Sequence, residues 1–291
     1  MKGTARTFGA ITITNALTAG IGCAAGIALP VDAEVSLSWD GSQGPSTIEL
    51  PPENRTPIVE ESLRVALRAY SPQPGAVARV TLRSEVPVAR GLKSSSAVST
   101  AVMLALARAA GVEPDPIEIG RRSAEVGRRV GVSATGALDD ALAGLEPGLI
   151  VTDNQHDRVL RRSAIASDWG VLLYIPSEPH PPSPSLAAAF SRERAAGEQA
   201  VHAVLEGDWT RAMRLNTELV ERTMGYSYRT LRNKLEQRGA IASGVSGLGP
   251  TLAAIAPTSH LSRLAGQLPD DGAERKLVSF VAAPTCGGRV P

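Results

Sequence analysis

The sequence predicts a globular protein that combines strands and helices in two successive units. In the first unit, residues 76–86 alternate as a strand does, and the run at 97–110 is apolar, lacks Gly and Pro, and predicts a buried helix. A second unit begins at about Ser163, where a short apolar strand is followed by three helical segments. With 43% hydrophobic residues, the 291-residue chain can build one large core or two ordinary ones.

Composition argues against several classes of function. The formal net charge of +1 gives no electrostatic reason to expect nucleic acid or an anionic membrane as a partner. The two cysteines, Cys23 and Cys286, lie at opposite ends of the chain and form neither a metal nor a redox spacing. Polar residues and glycines interrupt the apolar stretch that ends at Leu29, which argues against a signal peptide or a membrane span. We therefore expect a reduced, cytoplasmic protein, and the sequence gives no indication of its oligomeric state.

The first elements are two strands around a segment rich in Gly and Ala. Alternation and β-branched residues predict strands at 8–13 and 31–39. The segment between them, 15–26, is typical of a tight turn. It contains a Gly-x-Gly-x-x-Ala pattern, but Pro30 follows where a dinucleotide-binding fold needs a helix, so we reject a dinucleotide site.

The next predicted elements precede and follow the apolar helix in the sequence. Residues 40–57 are rich in turn formers, with a short strand at 48–50, and 58–69 form an amphipathic helix. A charged helix is predicted at 116–130. Its arginines are typical of a solvated helix face, although one of them could clamp a substrate carboxylate.

The loop between the strand and the buried helix is typical of a phosphate site. Gly91-Leu92-Lys93-Ser94-Ser95-Ser96 precedes the helix, so its unpaired N–H groups lie at the positive end of the helix dipole. Lys93 adds a positive charge, and the serines offer oxygens to phosphate or Mg²⁺. A serine N-cap on a core helix is the structural alternative. The loop is not a Walker A motif, because it lacks the Gly-Lys pair and the upstream glycine.

Two adjacent carboxylates, Asp139 and Asp140, form the second signal. They lie among small apolar residues at 135–141, where a buried charge is costly unless it is paired with a cation or hydrogen-bonded. An aspartate there could orient an acceptor hydroxyl and take its proton during phosphoryl transfer. A helix N-cap is the alternative explanation. The following segment, 148–154, ends a strand at a turn.

The second unit closes with a glycine-rich segment. A strand at 170–175 and a proline-rich loop at 176–184 are followed by helices, which are predicted at 186–206, 209–224 and 228–238. Glycines at short intervals in 242–251 could form a nest for an anion or an acceptor hydroxyl, or only a flexible turn. A closing helix at 252–256, a closing strand at 278–282 and a frayed end at 284–291 complete the prediction.

These segments resemble a known family. Pro87 to Ala97 is similar to the second motif of the GHMP kinases, Pro-x-x-x-Gly-Leu-x-Ser-Ser-x-Ala. Lysine after Gly-Leu, and Thr-Gly-Ala-x-Asp-Asp-Ala at 135–141, resemble the archaeal-type shikimate kinases within that family. Residues 244–250 resemble the third motif, Gly-x-Ser-Gly-x-Gly-Pro. The chain departs from the branch at Pro147, where a glycine is usual, and at Leu248, where a threonine is usual.

The resemblance implies an α+β fold with two domains. Residues 1–162 would form an N-terminal ATP-binding domain like domain 2 of ribosomal protein S5, and residues 163–291 a ferredoxin-like C-terminal domain. The implied chemistry is phosphorylation of the 3-hydroxyl of shikimate by ATP with Mg²⁺, in a cleft between the domains.

The resemblance also implies roles for individual residues. Asp139 would be the catalytic base, and Asp140 would support it or serve Mg²⁺. The residues implied in ATP binding are Pro87, Ala89, Gly91, Leu92, Lys93, Ser94, Ser95 and Ser96. Those implied in substrate binding are Asn15, in the segment similar to the first motif, and Ser246, Gly247 and Gly249. Ser95 and Glu125 are the implied Mg²⁺ ligands.

The sequence is also compatible with two alternatives. A kinase of the same fold could act on another small alcohol, such as homoserine or a cyclitol, although homoserine kinases generally lack the aspartate at the position of Asp139. A sensor that binds ATP or a metabolite without turnover is the second alternative. The serines after Lys93 and the Asp139-Asp140 pair argue against it, because such proteins tend to lose one or the other.

Overall fold

The structure, a computed structural model, describes residues 1–178 and 184–282. Most of the expected proline-rich loop, Cys286 and the expected frayed end lie outside these residues. Within the described part of the chain, no helix is long and apolar enough to cross a membrane.

The first unit is a sheet built on one long central strand. Its strands are β1 (Lys2–Thr14), β2 (Ile21–Trp39), β3 (Thr47–Glu49), β4 (Ala76–Ser84), β5 (Leu149–Asp153) and β6 (Arg158–Ser163). The path through the sheet runs β3-β4-β2-β5-β6, and β1 pairs with the other edge of β2. The two halves of β2 have different neighbours, because its first residues pair with β5 and its last residues with β4. β2 thereby joins the β3-β4 part of the sheet to the β5-β6 part.

Five helices accompany this sheet. They are α1 (Ala16–Ala19), α2 (Pro57–Tyr70), α3 (Ser94–Ala109), α4 (Pro116–Arg129) and α5 (Leu138–Ala143). The amphipathic helices begin at side-chain caps, since Thr56 accepts the Val59 N–H and Asp115 accepts the Ile117 N–H. Helix α3 is apolar on nearly all sides, and it packs between β1, β2 and α2.

The second unit is a four-stranded antiparallel sheet. Its strands are β7 (Trp169–Ile175), β8 (Ala242–Val245), β9 (Leu252–Pro257) and β10 (Glu274–Ser279), in the order β10-β7-β9-β8. Its helices are α6 (Pro184–Arg192), α7 (Arg194–Glu206), α8 (Trp209–Met224), α9 (Arg229–Gln237) and α10 (Thr258–Ala265). This order, with helices after the first and third strands, is the ferredoxin-like arrangement, as expected.

One continuous core joins the two sheets. It includes Ile11 of β1, Met103 of α3, Val171 of β7 and Ile255 of β9, all of them fully or almost fully buried. The two units are therefore fixed against each other by apolar packing, and the loops between them are held in place.

The structure corrects the expected turn at 15–26. Only a short helix and Gly20 turn the chain, and 21–26 is the start of β2. Its small residues reflect the close approach of α5. A Cβ on Gly22 would lie 2.4 Å from Asp139 Oδ2, and one on Gly26 would lie 2.0 Å from the Ala143 carbonyl oxygen.

Other boundaries also differ from the prediction. The expected helix at 252–256 is strand β9, because a short apolar run buried on both faces suits either element. The helix expected at 186–206 is divided at Glu193 into α6 and α7. The closing strand begins earlier, at Glu274, and helix α3 begins at Ser94 rather than at Ala97. Strand β6 and helix α10 were not predicted.

Candidate active site

A cleft of about 630 Å³ lies where the loops of both units meet. Most of the residues predicted for the site line it. They are Asn15, Ala89, Gly91, Leu92, Lys93, Ser94, Ser95, Ser96, Asp139, Asp140, Gly247 and Gly249. The fold therefore brings three distant segments together: the serine loop, the start of α5 and the glycine-rich turn after β8.

The serine loop ends in the first turn of α3. Gly91 and Lys93 both have left-handed backbone conformations, with φ of 77° and 67°, and the helix starts immediately afterwards at Ser94. The three serines thus form the first turn, whose N–H groups have no partner inside the helix. Leu92 anchors the loop, since its side chain is fully buried and its carbonyl accepts the Ala10 N–H. This geometry suits an anion beside the serines.

The glycine-rich turn is fastened to the serine loop and to β1. Ser246 donates its hydroxyl to the Gly91 carbonyl (2.7 Å) and accepts the Thr12 N–H (3.1 Å). Gly247 donates its N–H to Thr12 Oγ1 (2.9 Å), and its carbonyl accepts the Asn15 side-chain amide (2.7 Å). Ser246 is fully buried by these contacts, so it lies behind the cleft wall and holds the glycine-rich turn against the serine loop. Its contact with substrate stays a prediction.

Asp139 is a buried carboxylate at the start of α5. Asn154, at the end of β5, donates its side-chain amide to Asp139 Oδ1 at 2.8 Å. Burial and the neighbouring charge of Asp140 raise the pKa of Asp139 to about 7, against the opposing effects of Lys93 and the Asn154 hydrogen bond. A carboxyl group with such a pKa can hold or release a proton near neutral pH.

Asp140 differs from its neighbour in its partner. Lys93 Nζ lies 3.2 Å from Asp140 Oδ2, and both side chains are almost completely buried. Burial raises the pKa of Asp140, and the ammonium group opposes this shift. Asp140 Oδ1 is also buried, and it has no hydrogen-bond partner among residues 1–178 and 184–282. The ion pair ties the serine loop to the carboxylates.

Besides Ser246, two predicted residues do not line the cleft. Pro87 lies upstream of the serine loop and is half-buried. Glu125, on α4, accepts a hydrogen bond from Arg129 at 2.5 Å, and its side chain is 43% exposed. The structure therefore does not bring Glu125 to the serines. In the described part of the chain, no group of three or more His, Cys, Asp or Glu side chains is arranged to hold a metal ion.

Among the arginines of α4, only Arg128 lines the cleft. Its guanidinium group donates to both carboxylate oxygens of Asp157 and to the Thr135 carbonyl, so it holds the loop that leads into α5. Gly136 leaves room for it, since a Cβ there would lie 2.2 Å from Arg128 Nη1. Asn154 is another cleft residue that was not predicted for the site. Its signal is weak, because an asparagine after a strand is typical of any turn.

Comparison with known proteins places these features in a family. Residues 58–146 match the GHMP kinases N terminal domain, and residues 200–274 match the GHMP kinases C terminal domain. The chain is 34% identical to the shikimate kinase of Methanosarcina acetivorans over 281 residues, which are 95% of this chain and 92% of that protein. It is 35% identical to the shikimate kinase of Thermococcus kodakarensis over 246 residues, which are 84% and 89% of the two chains.

Solved structures share the fold at low sequence identity. A phosphotransferase related to the CoA biosynthesis pathway has a TM-score of 0.74, with 17% identity and 96% of each chain covered. The mevalonate kinase of Methanococcus jannaschii has a TM-score of 0.70, with 13% identity and 96% and 98% of the chains covered. These structures show the fold, and the two matched domains with the similar archaeal proteins show that the chain belongs to the GHMP kinase family.

Proposed function

We propose that this protein is a shikimate kinase, which transfers the γ-phosphoryl group of ATP to the 3-hydroxyl of shikimate. Two archaeal proteins named shikimate kinase, 34% and 35% identical over most of the chain, support this acceptor. The observation that carries the proposal is the position of Asp139. It is a buried carboxylate with a pKa near neutrality, and it lines the same cleft as the helix terminus that suits phosphate.

Different residues of the chain would bind the ATP phosphates and the acceptor. The first-turn N–H groups at Ser94, Ser95 and Ser96 would bind the ATP phosphates, and Lys93 would add positive charge beside them. Asn15 and the turn at Gly247 and Gly249 would lie at the acceptor. Positioning and charge stabilisation would supply most of the rate, as in other phosphoryl transfers.

The proposed reaction is one displacement at phosphorus. The acceptor oxygen forms a bond to the γ-phosphorus while its proton passes to Asp139, and the bond from that phosphorus to the β,γ-bridging oxygen breaks. ADP leaves with the electron pair of the broken bond. Asp139 then releases the proton to solvent, so no other reactant is needed.

The cleft also has groups that suit Mg²⁺. The ion prefers oxygen ligands, and in kinases it takes one or two carboxylates together with substrate phosphates. Asp140 Oδ1, buried without a hydrogen-bond partner among the described residues, and the Ser95 hydroxyl would be its protein ligands. Glu125 is a poorer candidate, because it pairs with Arg129 outside the cleft. When bound, Mg²⁺ supplies neutralisation of phosphate charge.

Formation of ADP with different acceptors tests the proposal. Purified protein and MgATP would be incubated with shikimate, homoserine, mevalonate, galactose or no acceptor, and the product would be examined by phosphorus NMR. We expect ADP release only with shikimate, together with a phosphate ester at its 3-hydroxyl. ADP release with another alcohol would show that this alcohol, and not shikimate, is the acceptor. Nucleotide binding with no ADP release for any acceptor would favour a sensor.

A further inference from the structure

Two buried polar residues at the end of β5 form a chain of hydrogen bonds that ends on Asp139. The Thr152 hydroxyl donates to Asn154 Oδ1 at 2.6 Å, and Asn154 Nδ2 donates to Asp139 Oδ1 at 2.8 Å. Thr152 is fully buried, and Asn154 is 3% exposed. The Asn154 main chain is fixed as well, because its N–H donates to the Gly20 carbonyl at 2.8 Å.

The chemistry of the three groups determines the direction of this chain. An ionised carboxylate only accepts hydrogen bonds, so the donor end of the Asn154 amide must face Asp139. The amide oxygen then faces Thr152, whose hydroxyl can rotate to donate to it. If the amide were reversed, two acceptor oxygens would face each other in a buried place, which is costly. The Asp139 carboxylate therefore sets the orientation of the Asn154 amide, and the Thr152 hydroxyl stabilises that orientation by donating to the amide oxygen.

We propose that Thr152 and Asn154 are positioning residues that orient the Asp139 carboxylate, so that Oδ1 is held by the Asn154 amide and Oδ2 receives the acceptor's proton. This inference rests on the proposed phosphoryl transfer and specifies how its base is held. The proton moves from the acceptor hydroxyl to Oδ2 as the new bond to phosphorus forms.

The backbone around Asp139 leaves room for the whole carboxylate. The group packs against Gly22 of β2, where a Cβ would lie 2.4 Å from Oδ2 and 2.7 Å from Oδ1. The glycine therefore permits this position of the carboxylate, and the Asn154 amide on Oδ1 leaves Oδ2 for the acceptor. Asp139 also lines the cleft, together with Asn154. Neither Thr152 nor Asn154 has a place in the nucleotide contacts proposed above.

A pair of substitutions at Thr152 separates the hydroxyl from the shape of the side chain. Thr152→Val keeps the shape and removes the hydroxyl, whereas Thr152→Ser keeps the hydroxyl and removes a methyl group. We expect Thr152→Val to lower kcat by roughly 10- to 100-fold, the range in which a misplaced catalytic group is felt. Thr152→Ser should keep most of kcat, and the KM for ATP and the affinity for ADP should change less than about twofold in both variants.

The outcomes decide the proposal in either direction. A normal kcat in Thr152→Val, or a larger loss in Thr152→Ser than in Thr152→Val, would overturn it. Thermal unfolding of both variants is measured alongside. A loss of activity that comes from lost stability would be accompanied by a lower unfolding temperature in the same variant, and removal of the methyl group in Thr152→Ser is the control for it. The kinetic comparison uses whichever acceptor the wild-type protein phosphorylates, so a different acceptor would revise the substrate and leave this test intact.

A crystal structure of Thr152→Val gives a readout that needs no turnover. We expect the Asn154 amide to rotate and its contact with Asp139 Oδ1 to lengthen beyond hydrogen-bonding distance. An unchanged contact in that variant would overturn the proposal even if no acceptor were found.

Discussion

Asp139 and Asp140 are neighbours in sequence and burial, and their partners distinguish them. Burial raises the pKa of both carboxyl groups. Asp140 faces the ammonium group of Lys93, which stabilises its charged form, whereas Asp139 faces the neutral amide of Asn154. Asp140 is engaged in an ion pair, whereas Asp139 has a carboxylate oxygen left for a group in the cleft. The distinction favours Asp139 as the base.

The pH dependence of turnover follows from the raised pKa of Asp139. The base is active when ionised, so kcat/KM for the acceptor should fall as the pH drops below about 7, by up to tenfold for each unit. Lys93, Asp140 and Asn154 surround the carboxyl group and set its pKa together. The measurement is kcat/KM for the acceptor between pH 5 and 9, with ADP affinity measured at each pH. A kcat/KM that stays constant from pH 5 to 7 would speak against a titrating base.

Gly22 is the residue that makes room for the base. In Gly22→Ala, the new Cβ would lie 2.4 Å from Asp139 Oδ2, so the carboxylate must move. We expect kcat to fall by about 10²-fold or more, the effect of misplacing a reacting group by about 1 Å. Gly44→Ala is the matched control, because its Cβ would meet only Ser42 Oγ at 3.4 Å. Equal activity of the two variants would show that the Asp139 carboxylate needs no such space.

At the scale of elements, amphipathic segments were predictable and strands of small residues were not. Helices α2 and α4 begin and end within one or two residues of the predicted bounds, because their caps and apolar faces are local signals. The start of β2 looked like a turn because α5 requires Gly22 and Gly26 there, and that requirement comes from a residue more than 100 positions away. Strand β9 was mistaken for a helix because it is apolar on both faces.

Gly91 connects two elements of the site. Its φ is 77°, and a Cβ would lie 2.1 Å from the Ser246 carbonyl oxygen, so Gly91→Ala should separate the serine loop from the glycine-rich turn. We expect ADP affinity to fall and the free energy of unfolding to drop by about 2–4 kcal/mol, from left-handed strain plus the clash.

Gly111→Ala is the control for this prediction. Gly111 has nearly the same φ of 78°, but a Cβ there would meet no atom within 4 Å. It should therefore lose only the part of the stability that the left-handed backbone conformation costs, with ADP affinity unchanged. If the two variants lost equal stability and Gly91→Ala bound ADP normally, the contact with Ser246 would have no part in the site.

At the scale of the whole molecule, the site exists because one core holds three distant segments together. The sequence motifs identified the serine loop, Asp139, Asp140 and the glycine-rich turn, and the fold brings all of them to one cleft. The sequence could not place Ser246 behind the cleft wall, or Asn154 on Asp139, since those contacts span 155 and 15 residues of chain. Nor could it separate Glu125 from the serines, which depends on which face of α4 lines the cleft.

The most direct test compares wild-type protein, Asp139→Asn and Asp140→Asn in shikimate-dependent ADP formation, with ADP binding measured for each. Asparagine keeps the shape of aspartate and cannot act as the base. We predict that Asp139→Asn loses about 10²- to 10⁴-fold in kcat, the usual contribution of a general base, and keeps its ADP affinity. Asp140→Asn should also weaken ADP binding, because Lys93 loses the partner that holds it at the serine loop. An Asp139→Asn enzyme with wild-type turnover would contradict the account.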